Sequence, residues 1–220
     1  MPATTPPPRT IHGQFVYLHP LAVSDADELR EAIGHPEVFA GGYGGGPSGF
    51  PPTPQDFRAF VANYYPWEKG RTYAVRLQGG PAADRLVGTS TLSDFDESRE
   101  HTHLGWTAWS PSVWGSAVNP EAKLLMLTEA FDSGFGRVKL QADALNSRSR
   151  AAILKLGASF EGIVRRDMRR ADGTWRDSAV YSITIDDWPV VREGLVSRLA
   201  GIDAPVVPAQ SAAPGGRLAP

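Results

Sequence analysis

The sequence predicts a mixed α/β fold of the α+β class, and three observations carry that prediction. Strand-like segments on either side of a Gly-Gly-Pro turn form an antiparallel group in the first half of the chain. One strand–helix–strand unit follows, and the last pair of strands flanks Asp172-Gly173, a strong hairpin signal. Antiparallel strands, a single crossover and a closing hairpin make a sheet of about seven strands flanked by helices.

In chain order, Phe15 to Pro20 reads as a short strand, and Ser24 as the N-cap of an acidic-start helix from Asp25 to Gly34. Gly41 to Pro54 carries six glycines and four prolines, and reads as a mobile surface loop bordering a binding site. A helix follows Pro54, with Phe57, Phe60, Val61 and Tyr64 at helical spacing. Thr72 to Leu77 and Arg85 to Phe95 are strands joined through Gln78-Gly79-Gly80-Pro81, and Thr102 to Ser110 is a third, ended by Pro111. Asn119 is a good N-cap, Pro120 suits the first helical position, and Glu121 favours the first turn. The body that follows, AKLLMLTEAF, is apolar around much of its circumference and should be buried, with Gly134 or Gly136 ending it. RVKLQADA alternates cleanly as a strand, and Ser147 to Leu156 is a helix stopped by Gly157. Strands Ser159 to Arg170 and Trp175 to Ile185 form the hairpin, and a helix from Trp188 to Leu199 closes the domain.

Composition bounds the function. The 220 residues hold 22 Lys+Arg against 24 Asp+Glu, a net charge of -2 that excludes a strongly basic nucleic-acid binder. The absence of cysteine excludes disulfides, thiolate metal sites and a cysteine nucleophile. No run approaches the roughly 18 apolar residues of a membrane span, and the start MPATTPPPRT lacks a signal-peptide core, so a cytoplasmic protein is expected. Residues 1–10 and 201–220, rich in proline and without apolar periodicity, read as disordered tails around one domain, 11–200. Gly44, Gly46 and Gly49 spell GxGxxG, but the run follows no strand, opens no helix and contains Pro47, so no dinucleotide site is expected. His101 and His103 share a strand face without a third ligand cluster, so no metal site is expected either.

The informative block is a strand ending at Pro111, the loop SVWGSAV and a helix N-terminus. Backbone N–H groups and the helix dipole favour an anion there, although an ordinary strand–loop–helix joint has the same pattern. WGSAVNPEAKLLMLTEAF resembles the acyl-CoA-binding loop and helix of the GCN5-related N-acetyltransferases (GNAT), in their RimJ/RimL-like branch. NSRSRAAILKLGASFEGIVRR is similar to that branch's N-x-x-S helix with its Leu-Gly-Ala and Glu-Gly-x-x-Arg signatures, and RDSAVYSITIDDW to its closing strand. The resemblance spans about residues 12 to 199, three motifs in the family's order. Where the general family loop reads Q/R-x-x-G-x-G/A, this chain has Trp114, Ala117 and Asn119; the branch form W-G-S-x-x-N-x-E is closer.

The resemblance implies a GNAT fold with a central twisted, mostly antiparallel sheet, and acetyl-CoA as acyl donor without a metal. Trp114, Gly115, Ser116, Ala117, Val118 and Asn119 would supply backbone donors to the pyrophosphate, and the strand edge around Trp109 and Ser110 would pair with the pantetheine arm. Asn146 would bond that arm, and Ser149 would protonate the departing thiolate; both also read as helix-start capping residues. Candidates for the base that deprotonates the amine are His101, His103, Asp94 and Asp96. The branch often carries glutamate where this chain has His103, and a histidine suits a neutral-pH base. Arg165, Arg166, Arg169, Arg170 and Arg176 read as a solvated strand face, or as recognition of an acidic acceptor or the CoA 3′-phosphate together with Arg148, Arg150 and Lys155.

The expectation is an acyl-CoA-dependent N-acyltransferase, most simply an acetyltransferase acting on a small-molecule or peptide amine by direct attack, as monomer or homodimer. A non-catalytic acyl-CoA sensor and an N-succinyltransferase are the alternatives.

Overall fold

In a computed structural model of the chain, residues 2–202 and 204–209 are described. Eight strands form one sheet: β1 (Ile11–His12), β2 (Val16–Pro20), β3 (Arg71–Leu77), β4 (Leu86–Asp96), β5 (His101–Trp109), β6 (Arg137–Asp143), β7 (Ser159–Arg169) and β8 (Trp175–Thr184). Their spatial order is β1-β2-β3-β4-β5-β6-β8-β7. Every neighbouring pair is antiparallel except β5 and β6, which run parallel because the helix between them carries the chain back across one face. The strand beyond the expected seven is β1, two residues paired with β2 at Ile11↔Leu18 and His12↔Tyr17, too short to leave a pattern.

Six helices flank the sheet: α1 (Ala26–Ile33), α2 (Pro36–Phe39), α3 (Pro54–Tyr64), α4 (Val118–Asp132), α5 (Ser147–Leu154) and α6 (Trp188–Ala200). Alternation along the strands gives each face its own core. On one side Leu18, Val75, Leu104, Val138, Leu140 and Tyr181 pack with Met126 and Leu127 of α4 and Leu195 of α6. On the other, Ala74, Leu86 and Ala108 pack with Leu29, Ile33, Phe57 and Val61 of α1 and α3. None of the described helices is long and apolar enough to cross a membrane.

Local chemistry moves several boundaries. Ser24 is not the cap of α1: a 3₁₀ turn over Val23–Asp25 precedes it, and the Asp25 carboxylate accepts from Ala22 N–H. Thr53 caps α3, taking Asp56 N–H on its hydroxyl while the Asp56 carboxylate takes Thr53 N–H. The segment 41–54, expected to be mobile, folds into two 3₁₀ turns tied at several points: Gly41 O accepts from Asn146 Nδ2, Gly44 N–H donates to Tyr64 OH, and Gly45 O accepts from Ala171 N–H.

Residues 2–9, expected as a disordered tail, dock instead. Thr4 N–H donates to Ser133 O, Arg71 Nε donates to Pro6 O, Arg9 pairs with the buried carboxylate of Glu129, and Ala3 is itself buried. Of the expected C-terminal tail, Val206 packs on the core and Ala209 N–H donates to Ser112 O; residues 203 and 210–220 lie outside the described residues.

Candidate functional site

β5 and β6 pair at only three positions, His101↔Arg137, Thr102↔Val138 and His103↔Lys139, and then part. From Leu104 onward β5 remains bonded to β4, and β6 continues with β8 as far as Asp143↔Ser178. The edge of β5 that faces the gap is therefore unpaired, a row of backbone donors and acceptors open to an extended ligand.

Beside this gap the β4–β5 ladder steps from Thr91↔Gly105 to Thr89↔Ala108, so Trp106 and Thr107 together oppose Ser90 in a β-bulge. Trp106 sits there at φ +47°, a conformation that costs a bulky residue energy. Trp109 and Ser110, expected on the open strand edge, lie just beyond it. In the structure Trp109 is a paired residue whose carbonyl accepts from Trp114 Nε1, and Ser110 N–H donates to Val87 O, so the open edge lies between Leu104 and Ala108.

A second bulge, on β4 between Ser93 and Asp96, holds Asp94 at φ +52° and brings its carboxylate 3.2 Å from Nδ1 of His103. His103 is 4% exposed, lies against the Trp106 ring, and is close enough to Gly105 that a Cβ there would stand 2.9 Å from Nε2. Burial lowers the His103 pKa below its ordinary 6.5, outweighing the opposite pull of Asp94. Asp94 is mostly exposed and held below the usual carboxylate range, first by the His103 hydrogen bond and further by Lys139. An ionised carboxylate only accepts, so the neutral imidazole carries its proton on Nδ1 and leaves a lone pair on Nε2. That Nε2 is buried without a partner among the described residues. His101, at the start of β5, stands farther from the bulge, opposite Asp96 and Arg137.

At the far end of β5, a 3₁₀ turn over Pro111–Val113 leads into the loop before α4. Gly115 has φ +78° with open space around it, which only glycine takes without strain. Ser116 donates from its hydroxyl to Val113 O and accepts from Val118 N–H, while the Gly115 and Ala117 N–H groups are left without acceptors among the described residues. The helix begins at Val118 with Ala117 as its cap. Asn119, expected in that place, lies inside the first turn with its side-chain oxygen on Trp109 Nε1. Two free N–H groups at the start of a buried helix suit a phosphate.

Past the end of β6, Asn146 caps α5, its Oδ1 taking Ser149 N–H while Nδ2 holds Gly41 O. Arg148, one residue before Ser149, lays its guanidinium 3.9 Å over the Trp114 ring and so joins α5 to the loop. Lys155 does not join this site; it is exposed at the opposite end of α5. Four of the five hairpin arginines are engaged locally: Arg166 and Arg169 both lie 4.7 Å from the Trp175 ring, Arg170 pairs with Asp143, and Arg176 donates to Ser178. Sequence reasoning passed over Lys123, buried in α4 with its Nζ bonded to Ser90 and Thr107 at the bulge. The signal was present, since Lys123 falls on one helical stripe with Met126, Leu127 and Ala130.

The family model for the acetyltransferase (GNAT) domain matches residues 16–159. The solved structure of a GCN5-related N-acetyltransferase from Brucella melitensis is similar at 25% identity and TM-score 0.79, covering 89% of this chain and 87% of that one. A protein of T. thermophilus classed as an acetyltransferase is 30% identical with TM-score 0.78, covering 89% of this chain and 100% of that one. Mycobacterium smegmatis RimJ, solved with CoA-disulfide, shares the fold at 20% identity and TM-score 0.65, covering 87% of this chain and 95% of that one. No curated protein sequence matches the chain.

Proposed function

The chain belongs to the GNAT acetyltransferase family, and we propose from that premise that it transfers an acyl group, acetyl in the first instance, from acyl-CoA to a primary amine. The observation that carries the proposal is the gap between β5 and β6, with an unpaired strand edge, a β-bulge and an unpartnered His103 Nε2 together at its mouth. The pantetheine arm fits the open edge of β5, and the pyrophosphate fits the Gly115 and Ala117 N–H groups at the start of α4. That a structural relative, RimJ of M. smegmatis, binds CoA-disulfide supports this use of the fold.

The chemistry needs no covalent enzyme intermediate. The amine lone pair attacks the thioester carbon, its proton passes to His103 Nε2 and on to solvent, the C–S bond breaks, and the thiolate takes a proton through the Ser149 hydroxyl, which is reprotonated from solvent. Asp94 fixes the tautomer that leaves Nε2 free to accept. A free α-amino group, with a pKa near ~8, suits a modest base better than a lysine side chain near ~10.4.

Thiol release from acetyl-CoA across a panel of amines and peptides, beside calorimetric CoA binding, tests the reading. Turnover with an α-amine supports it. CoA binding without turnover of any amine favours an acyl-CoA sensor, and faster release from succinyl-CoA would reassign the acyl group.

A further inference from the structure

Lys123 is 5% exposed, on the face of α4 that packs against the sheet. Its Nζ donates to Ser90 Oγ at 2.9 Å and to Thr107 Oγ1 at 2.6 Å. The two hydroxyls are 2.8 Å apart and both reach one carbonyl, that of Gly105, at 3.4 Å and 3.3 Å. Gly105 and Thr107 flank Trp106, so the network encloses the β5 bulge from the core side. No carboxylate pairs with Nζ among the described residues, and burial alone pulls its pKa down to about 7. Burying an amine with no opposite charge is costly, and a methionine would fill the same space without that cost. Packing therefore does not account for a lysine at this position.

We propose that Lys123 is a positioning residue for acyl transfer: through Ser90 and Thr107 it fixes the Trp106–Thr107 bulge and strengthens the backbone donors that β5 turns toward the thioester carbonyl. The Gly105 carbonyl shares its peptide unit with the Trp106 N–H, so hydrogen bonds accepted on one side polarise the donor on the other. Negative charge develops on the acyl oxygen during attack, where donors already held in place are most effective. Lys123 does not touch the acyl group. The inference rests on the acyl-transfer reading and adds to it a residue to which that reading gives no role.

Isotope-edited infrared spectra of bound [1-¹³C]acetyl-CoA test this without an acceptor. The carbonyl stretch of the bound donor should fall on binding to the wild-type chain. Lys123→Met should return most of that shift, with acetyl-CoA affinity by calorimetry changed less than about threefold, and turnover of any accepted amine should fall about 10–100-fold at nearly constant KM. An unchanged stretch in a folded Lys123→Met variant overturns the inference. If that variant does not fold by circular dichroism, Thr107→Val removes one of the two relay hydroxyls, the one nearer Nζ, and should return part of the shift; an unchanged stretch there overturns the inference equally. Failure of acetyl-CoA to bind the wild-type chain is a separate result, which overturns the acyl-donor reading and this inference with it.

Discussion

A histidine enclosed by Trp106 and Gly105 loses more from charging than Asp94 returns, so His103 stays neutral to lower pH than it would in water. A base acts only when neutral. As the proposed base, His103 would place its limb of the rate profile below pH 6.5, and a limb near pH 8 would belong to the proposed acceptor amine. His103→Gln should remove the acid limb from a kcat/KM profile; a limb that survives unchanged assigns the base elsewhere. Ser149→Ala should lower turnover far more than CoA affinity, by up to ~10²–10⁴-fold, read by steady-state kinetics beside calorimetry. Lys123 sets a stability dependence of opposite origin. The unfolded chain protonates this side chain near its ordinary 10.5, the folded chain only below about 7. Between those values the unfolded state holds more protons, so stability should rise with pH across that window and decline as pH falls toward 7. Urea unfolding at both ends of the window should show the slope in the wild-type chain and its loss in Lys123→Met.

At the scale of elements, α4 is tied to the start of the sheet by one side chain. The buried Glu121 carboxylate takes three backbone N–H groups, those of Gln14, Phe15 and Val16, at 2.6–2.7 Å. Glu121→Gln keeps the shape but replaces one acceptor oxygen with a donor beside those N–H groups. It should cost about 2–4 kcal/mol, measured by urea unfolding. The body of α4 was legible because its apolar pattern runs through more than three turns, and the strands were legible from their alternation. Its first residue was not, because Asn119 has a competing partner, Trp109 Nε1, brought near only by the folded chain. For the same reason the candidate site's loop and histidine stand out in the sequence, but its bulges do not. A bulge is a register mismatch between two strands, and nothing in either strand alone announces the pairing that skips Ser90 or adds Asp94.

For the molecule as a whole, the N-terminal residues follow no period, yet they stick. Isolated hydrogen bonds and the Arg9–Glu129 pair hold them, contacts that composition cannot reveal. Deleting residues 2–9 strips Glu129 of its cation while leaving it buried, and should lower the melting temperature measurably, contrary to the dispensability their composition suggests. An unchanged melting temperature would show that the docking adds nothing to stability. The three residue pairs that join β5 to β6 have a further consequence. Besides those pairs, the β1–β5 half of the sheet is joined to the β6–β8 half by α4, which packs on both sides, and by isolated contacts such as Gly41–Asn146, Gly45–Ala171 and Asp94–Lys139. Amide hydrogens of the two halves should therefore exchange as distinct cooperative units in the free protein, each opening at its own free energy. A ligand lying along the gap would bond both margins at once, and CoA should draw the two sets of exchange rates together into one.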